Sequence, residues 1–135
     1  MPRPRFRVLS HTADARLAVW GANRAELLRN AVAGVVRLAL GRSPQRRATR
    51  LEVVPSWPTA LERQLVRAVN EALHQLYARR QAAVGLDLRG RRAALEVTEL
   101  PAGWMPELEI KAATFHALAP RRRGGRLSVV LTLDL

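Results

Sequence analysis

The chain contains no cysteine. That excludes disulfides, thiolate metal sites and a cysteine nucleophile, and leaves the redox compartment open. Lysine is nearly absent: Lys and Arg together number 23, and only Lys111 is lysine. Aromatic residues make up 4% of the chain, so stacking platforms for unpaired bases are poorly supplied. No apolar run is long enough to cross a bilayer. The segment from Met1 to Arg7 is basic but is not followed by the apolar stretch of a signal peptide. A cytoplasmic protein is the expectation.

What is present bounds the class. A length of 135 residues fits one domain, 1–135, able to bury a core without disulfides or metal. The net charge of +12 fits either a phosphate-bearing partner or a solvated surface in an arginine-rich composition. Candidate patches for RNA contact are Arg46-Arg47 with Arg50, Arg79-Arg80, Arg89 with Arg91-Arg92, and Arg121-Arg122-Arg123, mostly at loop or element-end positions. No RNA-binding module signature accompanies them.

Periodicity places the elements. Phe6, Val8, Ala13, Ala15, Leu17 and Val19 alternate with polar or small residues, as in two short strands or one strand bent near Ser10-His11. Asn23 with Glu26 forms a capping-box pattern. Leu27, Leu28, Ala31, Val32, Val35, Val36 and Ala39 follow at helical spacing, and Gly41 is the stop. Leu51 and Val53 form a strand ended by Pro55. Thr59 with Glu62 repeats the capping pattern ahead of a longer amphipathic helix through Leu65, Val69, Leu73 and Tyr77. Val84, Leu86 and Leu88, then Leu95 and Val97 across Gly90, read as a hairpin. Leu108, Ile110 and Ala112 are expected on one strand face, with Lys111, Ala113 and Phe115 on the other. Gly124-Gly125 turns the chain into a final strand, Leu127 to Leu135. The fold class is α+β: one domain with two amphipathic helices packed on a mainly antiparallel β-sheet.

Three spots carry chemistry: His11-Thr12-Ala13-Asp14 near the start, Lys111 in Ile110-Lys111-Ala112-Ala113-Thr114-Phe115-His116, and Asp134 beside Leu135. A lone lysine among arginines marks a place where a compact, rotatable ammonium differs from a planar guanidinium. Asp14 shares a strand face with Thr12 and Arg16, and Asp134 shares one with Thr132. If the two strands are neighbours, the carboxylates can meet on one face, where they would repel unless a cation lies between them. The histidines read as structural more readily than catalytic, and His74 on the second helix as neither.

These stretches, in this order, resemble the archease family. Gly21, Asn70-Glu71-Ala72-Leu73 and Leu131-Thr132-Leu133-Asp134-Leu135 extend the resemblance over essentially the whole chain. It implies an archease-like domain that is not itself an enzyme. Its role would be that of an accessory protein, activating an RtcB-type RNA ligase in tRNA splicing and RNA repair. Such a protein promotes GTP-dependent guanylylation of the ligase and multiple turnover. The resemblance further implies a divalent metal ion, Ca²⁺ or Mg²⁺/Mn²⁺, held by Asp14, Asp134 and Leu135, whose oxygens are the hard ligands such ions take. His11, Lys111 and His116 then belong to a partner or activation face. The chain departs from the family pattern at Ser10 and at Ala78-Arg79, where acidic residues are common, and at Phe115, where tyrosine is common. It is also basic where many members are acidic.

Two other classes fit the residues alone. One is an RNA-binding or chaperone-like module for a tRNA-modifying enzyme. The other is a hydrolase using a carboxylate-bound metal to activate water. No nucleophile elbow, phosphate-binding glycine loop or metalloprotease helix motif supports the second.

Overall fold

The computed structural model describes residues 5–11, 14–44, 47–115 and 119–135, residues 10 and 11 by their main chain only. In chain order the elements are β1 (Phe6–His11), β2 (Asp14–Gly21), α1 (Arg24–Leu40), β3 (Arg50–Val53), α2 (Leu61–Arg79), β4 (Gln81–Arg89), β5 (Arg92–Glu99), β6 (Ala112–Thr114), β7 (Arg121–Arg123) and β8 (Arg126–Asp134). The α+β class with two amphipathic helices on antiparallel sheet is the one the periodicity predicts. The strands, however, form two sheets rather than one. A five-stranded sheet runs β1-β2-β8-β6 with β7 also on β8, and a three-stranded sheet runs β3-β5-β4.

The helices separate the sheets. Helix α1 contacts β2 of the larger sheet and β4 of the smaller one, while α2 contacts β4 and β6. Both helices therefore bury more than one face. Val32, Val35, Val36 and Ala39 of α1 are buried together with Leu65, Val69, Ala72 and Leu76 of α2. Leu17 and Leu131 sit opposite each other on β2 and β8 and are fully buried, as are Leu86 and Leu95 on β4 and β5. Each such leucine contributes roughly 1.5–3 kcal/mol of burial free energy.

Local signals explain the helix ends. The Asn23 side-chain oxygen accepts from the Glu26 main-chain N–H at 2.9 Å, satisfying one of the unpaired donors of the first turn. Gly41 adopts φ 78 at the other end, and its N–H donates to the Arg37 carbonyl, the left-handed cap that glycine takes without strain. The second capping pattern does not form. Ala60 is the N-cap of α2 and makes no side-chain cap bond. Gln64 donates instead to the Pro58 carbonyl, and Arg24 donates to both Gln64 Oε1 and the Thr59 carbonyl. These contacts tie the start of α2 to α1 by donating to oxygens, and no side chain accepts from the first-turn N–H groups as a capping hydroxyl would.

Candidate site at one end of the larger sheet

Strands β2 and β8 are neighbours, and their antiparallel register sets Asp14 directly opposite Asp134. The next pairs are Ala15 with Leu133, both fully buried, and Arg16 with Thr132. Because residues opposite each other share a face and faces alternate along a strand, Asp14 and Asp134 lie on the face away from the helices. Asp14 is half-buried and Asp134 exposed. Among the described residues neither carboxylate has a hydrogen-bond or ion-pair partner. Like charges directly opposite in a ladder destabilise it, so the pair is a place where a cation would be favoured.

The third segment joins them. On the other side of β8, Ala112 of β6 pairs with Asp134, and the Lys111 N–H donates to the Asp134 carbonyl at 2.8 Å. Lys111 is exposed. The expected face assignment around it is corrected by the structure. Strand β6 covers only Ala112–Thr114, and the buried residues are Ile110 and Ala113 rather than Ile110 and Ala112. Residues 108–110 are held by a side chain instead of a ladder. Tyr77 Oη donates to the Leu108 carbonyl at 2.6 Å and accepts from the Ile110 N–H at 2.9 Å. The two-residue alternation continues through Lys111 and shifts after it, where Ala113 rather than Ala112 is buried.

Asn70 and Tyr77 on α2 thus position the Lys111 segment. The Asn70 amide accepts from the Ala113 N–H at 2.7 Å and donates to its carbonyl at 3.4 Å. Partial burial raises the Tyr77 pKa above its ordinary 10.0; the Ile110 hydrogen bond opposes that rise, and the negative charge of Glu109 adds to it. Neither residue was singled out for a role from sequence. Two signals mark Asn70 in the sequence: its place in the Asn70-Glu71-Ala72-Leu73 stretch, and a polar amide on the side of α2 that otherwise reads Val66, Val69 and Leu73.

Leu135 follows Asp134 and packs half-buried against the core. His11 is on β1 with its main chain opposite Ala15, while its side chain lies outside the described residues, as do Thr12 and His116 altogether. His74 is exposed on α2.

Among the described residues no group of three or more His, Cys, Asp or Glu side chains is assembled to hold a metal ion. The donor set at this end of the sheet is two carboxylates and neighbouring main-chain oxygens. That chemistry suits a hard divalent cation, which takes about six to eight oxygens, with several positions left to main chain and water. A groove of about 390 Å³ lies on the smaller sheet, lined by Leu51, Val53, Trp57, Asp87 and Arg89 among others. Its Asp87 is already paired with Arg89 at 3.1 Å, so unpartnered charge, not concavity, locates the candidate site. No helix among the described residues is long and apolar enough to cross a membrane.

Known proteins share this fold. The crystal structure of an archease from Thermotoga maritima, described as a possible chaperone, superposes with a TM-score of 0.70 at 22% identity, covering 100% of this chain and 98% of that one. The solution structure of a Methanobacterium thermoautotrophicum protein gives 0.69 at 20% identity, covering 98% and 100%. At such identities the likeness is one of fold. Among curated proteins none matches the chain significantly. The model of the Archease protein family (MTH1598/TM1083) matches residues 6–135, and the chain accordingly belongs to the archease family.

Proposed function

We propose that this protein is a cytoplasmic activator of an RtcB-type RNA ligase in tRNA splicing and RNA repair. It would promote GTP-dependent guanylylation of the ligase and its multiple turnover, and catalyse no reaction of its own. Family membership supports the reading, and one observation carries it. The three motif segments, far apart in sequence, converge where Asp14 faces Asp134 and the Lys111 main chain bonds to Asp134.

Asp14 and Asp134 would hold a divalent cation, Ca²⁺ or Mg²⁺/Mn²⁺, with Leu135 contributing main-chain oxygen. Bound there, it would neutralise the facing carboxylates and fix the ends of β2 and β8. Lys111, exposed beside them, would offer an ammonium to a phosphate or carboxylate of the partner. His11 and His116 would complete the partner face.

The test is guanylylation of the cognate ligase with labelled GTP and Mn²⁺, with and without this protein. Faster guanylylation and restored turnover are expected, and Asp14→Ala and Lys111→Ala should lose both while remaining folded. A cognate ligase indifferent to the wild-type protein would overturn the reading.

A further inference from the structure

The outer face of the five-stranded sheet is strongly and asymmetrically charged. Register and alternation place Arg7 of β1, Arg16 of β2, Arg121 and Arg123 of β7 and Arg126 of β8 on the side away from the helices. All five are exposed. Among the described residues none has a hydrogen-bond or ion-pair partner. Arg123 and Arg126 are directly opposite each other, a like-charge pair that costs stability unless something negative covers it. The other patches are partly neutralised, although Arg91 and Arg92 are likewise exposed and without a hydrogen-bond or ion-pair partner among the described residues. Arg50 and Arg79 pair with Glu52, Arg89 pairs with Asp87, and Arg80 donates to the Trp104 carbonyl. Those guanidinium groups are spent within the molecule.

The centre of the face mixes small, apolar and polar residues with a single large aromatic ring among the described residues. Ala18 and Val130 form one row, Trp20 and Ser128 the next, and Arg16 and Thr132 a third. A protein-binding patch concentrates aromatic and apolar residues at its core and keeps charge to the rim. Here charge dominates, and Trp20, the one aromatic on this face among the described residues, lies under the Arg126 guanidinium at 4.6 Å. Planar guanidinium forks bind phosphate bidentately, and an arginine-flanked aromatic offers a sequence-tolerant stacking surface.

We propose that this sheet face binds single-stranded nucleic acid through its phosphates, with Arg7, Arg16, Arg121, Arg123 and Arg126 as contacts and Trp20 as a stacking residue. Scarcity of other aromatics makes the binding backbone-directed and indifferent to base sequence. The carboxylate end, at Asp14 and Asp134, bounds the track. The proposal does not depend on the ligase reading.

The test is fluorescence anisotropy of the full chain with labelled single-stranded RNA, single-stranded DNA, a duplex and polyglutamate, over a salt series. Single strands should bind at low salt, with log K falling against log salt at a slope of about −3.5 for five contacts. The triple variant Arg16→Gln, Arg121→Gln, Arg123→Gln should lose at least tenfold in affinity and flatten the slope by about 2. The control triple Arg63→Gln, Arg91→Gln, Arg92→Gln removes equal charge elsewhere and should change affinity less than threefold. Equal losses in both triples would reduce the effect to net charge and overturn the proposal. So would absence of single-strand binding, tighter binding to duplex, or binding to polyglutamate alone, which would assign the face to an acidic protein.

Discussion

The side-chain amide of Asn70 closes both main-chain groups of Ala113, accepting from its N–H at 2.7 Å and donating to its carbonyl at 3.4 Å. An α-helix thereby acts as the missing neighbour strand at the free edge of β6. Asn70→Ala should destabilise the protein by about 1–3 kcal/mol, since it leaves buried main-chain groups unpaired. Asn70→Asp keeps the acceptor and should cost less. Urea unfolding of the three proteins measures the order, and equal midpoints would refute it.

Tyr77 holds residues 108–110 by a hydroxyl that donates and accepts at once. Its folded pKa lies above the ordinary value, chiefly through burial. The neutral phenol is thus the form that folding favours. That contribution is fully present below pH about 10 and is lost as pH rises through the higher folded pKa. Stability of the wild-type protein should fall more steeply above that point than stability of Tyr77→Phe. Chemical unfolding at neutral pH and at successively alkaline pH would show it; parallel curves would contradict the assignment.

The facing carboxylates give a calcium-linked prediction. Asp14→Asn or Asp134→Asn removes a like-charge repulsion worth about 0.2–1 kcal/mol, so each variant should be as stable as wild type, or more so, in chelator. Calcium should raise the melting temperature of wild type, with about 2.7 kcal/mol expected at a hundredfold excess over Kd, and should leave both variants unmoved. Thermal scans with Ca²⁺ and with EGTA decide between this and two independent surface aspartates.

Gly34 tests the contact between α1 and the larger sheet. A Cβ there would meet Phe6 Cγ at 2.8 Å and Leu17 Cδ2 at 2.9 Å. Alanine improves helix propensity by about 1 kcal/mol, but overpacking costs typically about 1–3 kcal/mol. Gly34→Ala should therefore be net destabilising in thermal or urea unfolding, against the propensity scale. A stabilised variant would mean that Phe6 and Leu17 yield freely.

Strand and helix positions were legible in the sequence because each element carries its own period: alternation over Ala15, Leu17 and Val19, helical spacing over Leu27 to Ala39, a turn at Gly90. Asn23 and Gly41 were legible as caps because capping is local chemistry. Thr59 misled because the helix begins one residue later than the pattern implies, with Ala60 as its N-cap and no side-chain acceptor there. The site residues could be named from the motif stretches, but their meeting could not. Whether Asp14 faces Asp134 depends on which strands pair and in which register, and register is settled by the fit of Leu17 against Leu131 and Ala15 against Leu133 beneath the helices. The same long-range packing divided the strands into two sheets, let Tyr77 and Asn70 replace a ladder beside Lys111, and gathered arginines from four strands onto one open face. A sequence specifies periods and caps through neighbours along the chain. Pairing between elements is decided by burial, which only the folded chain has.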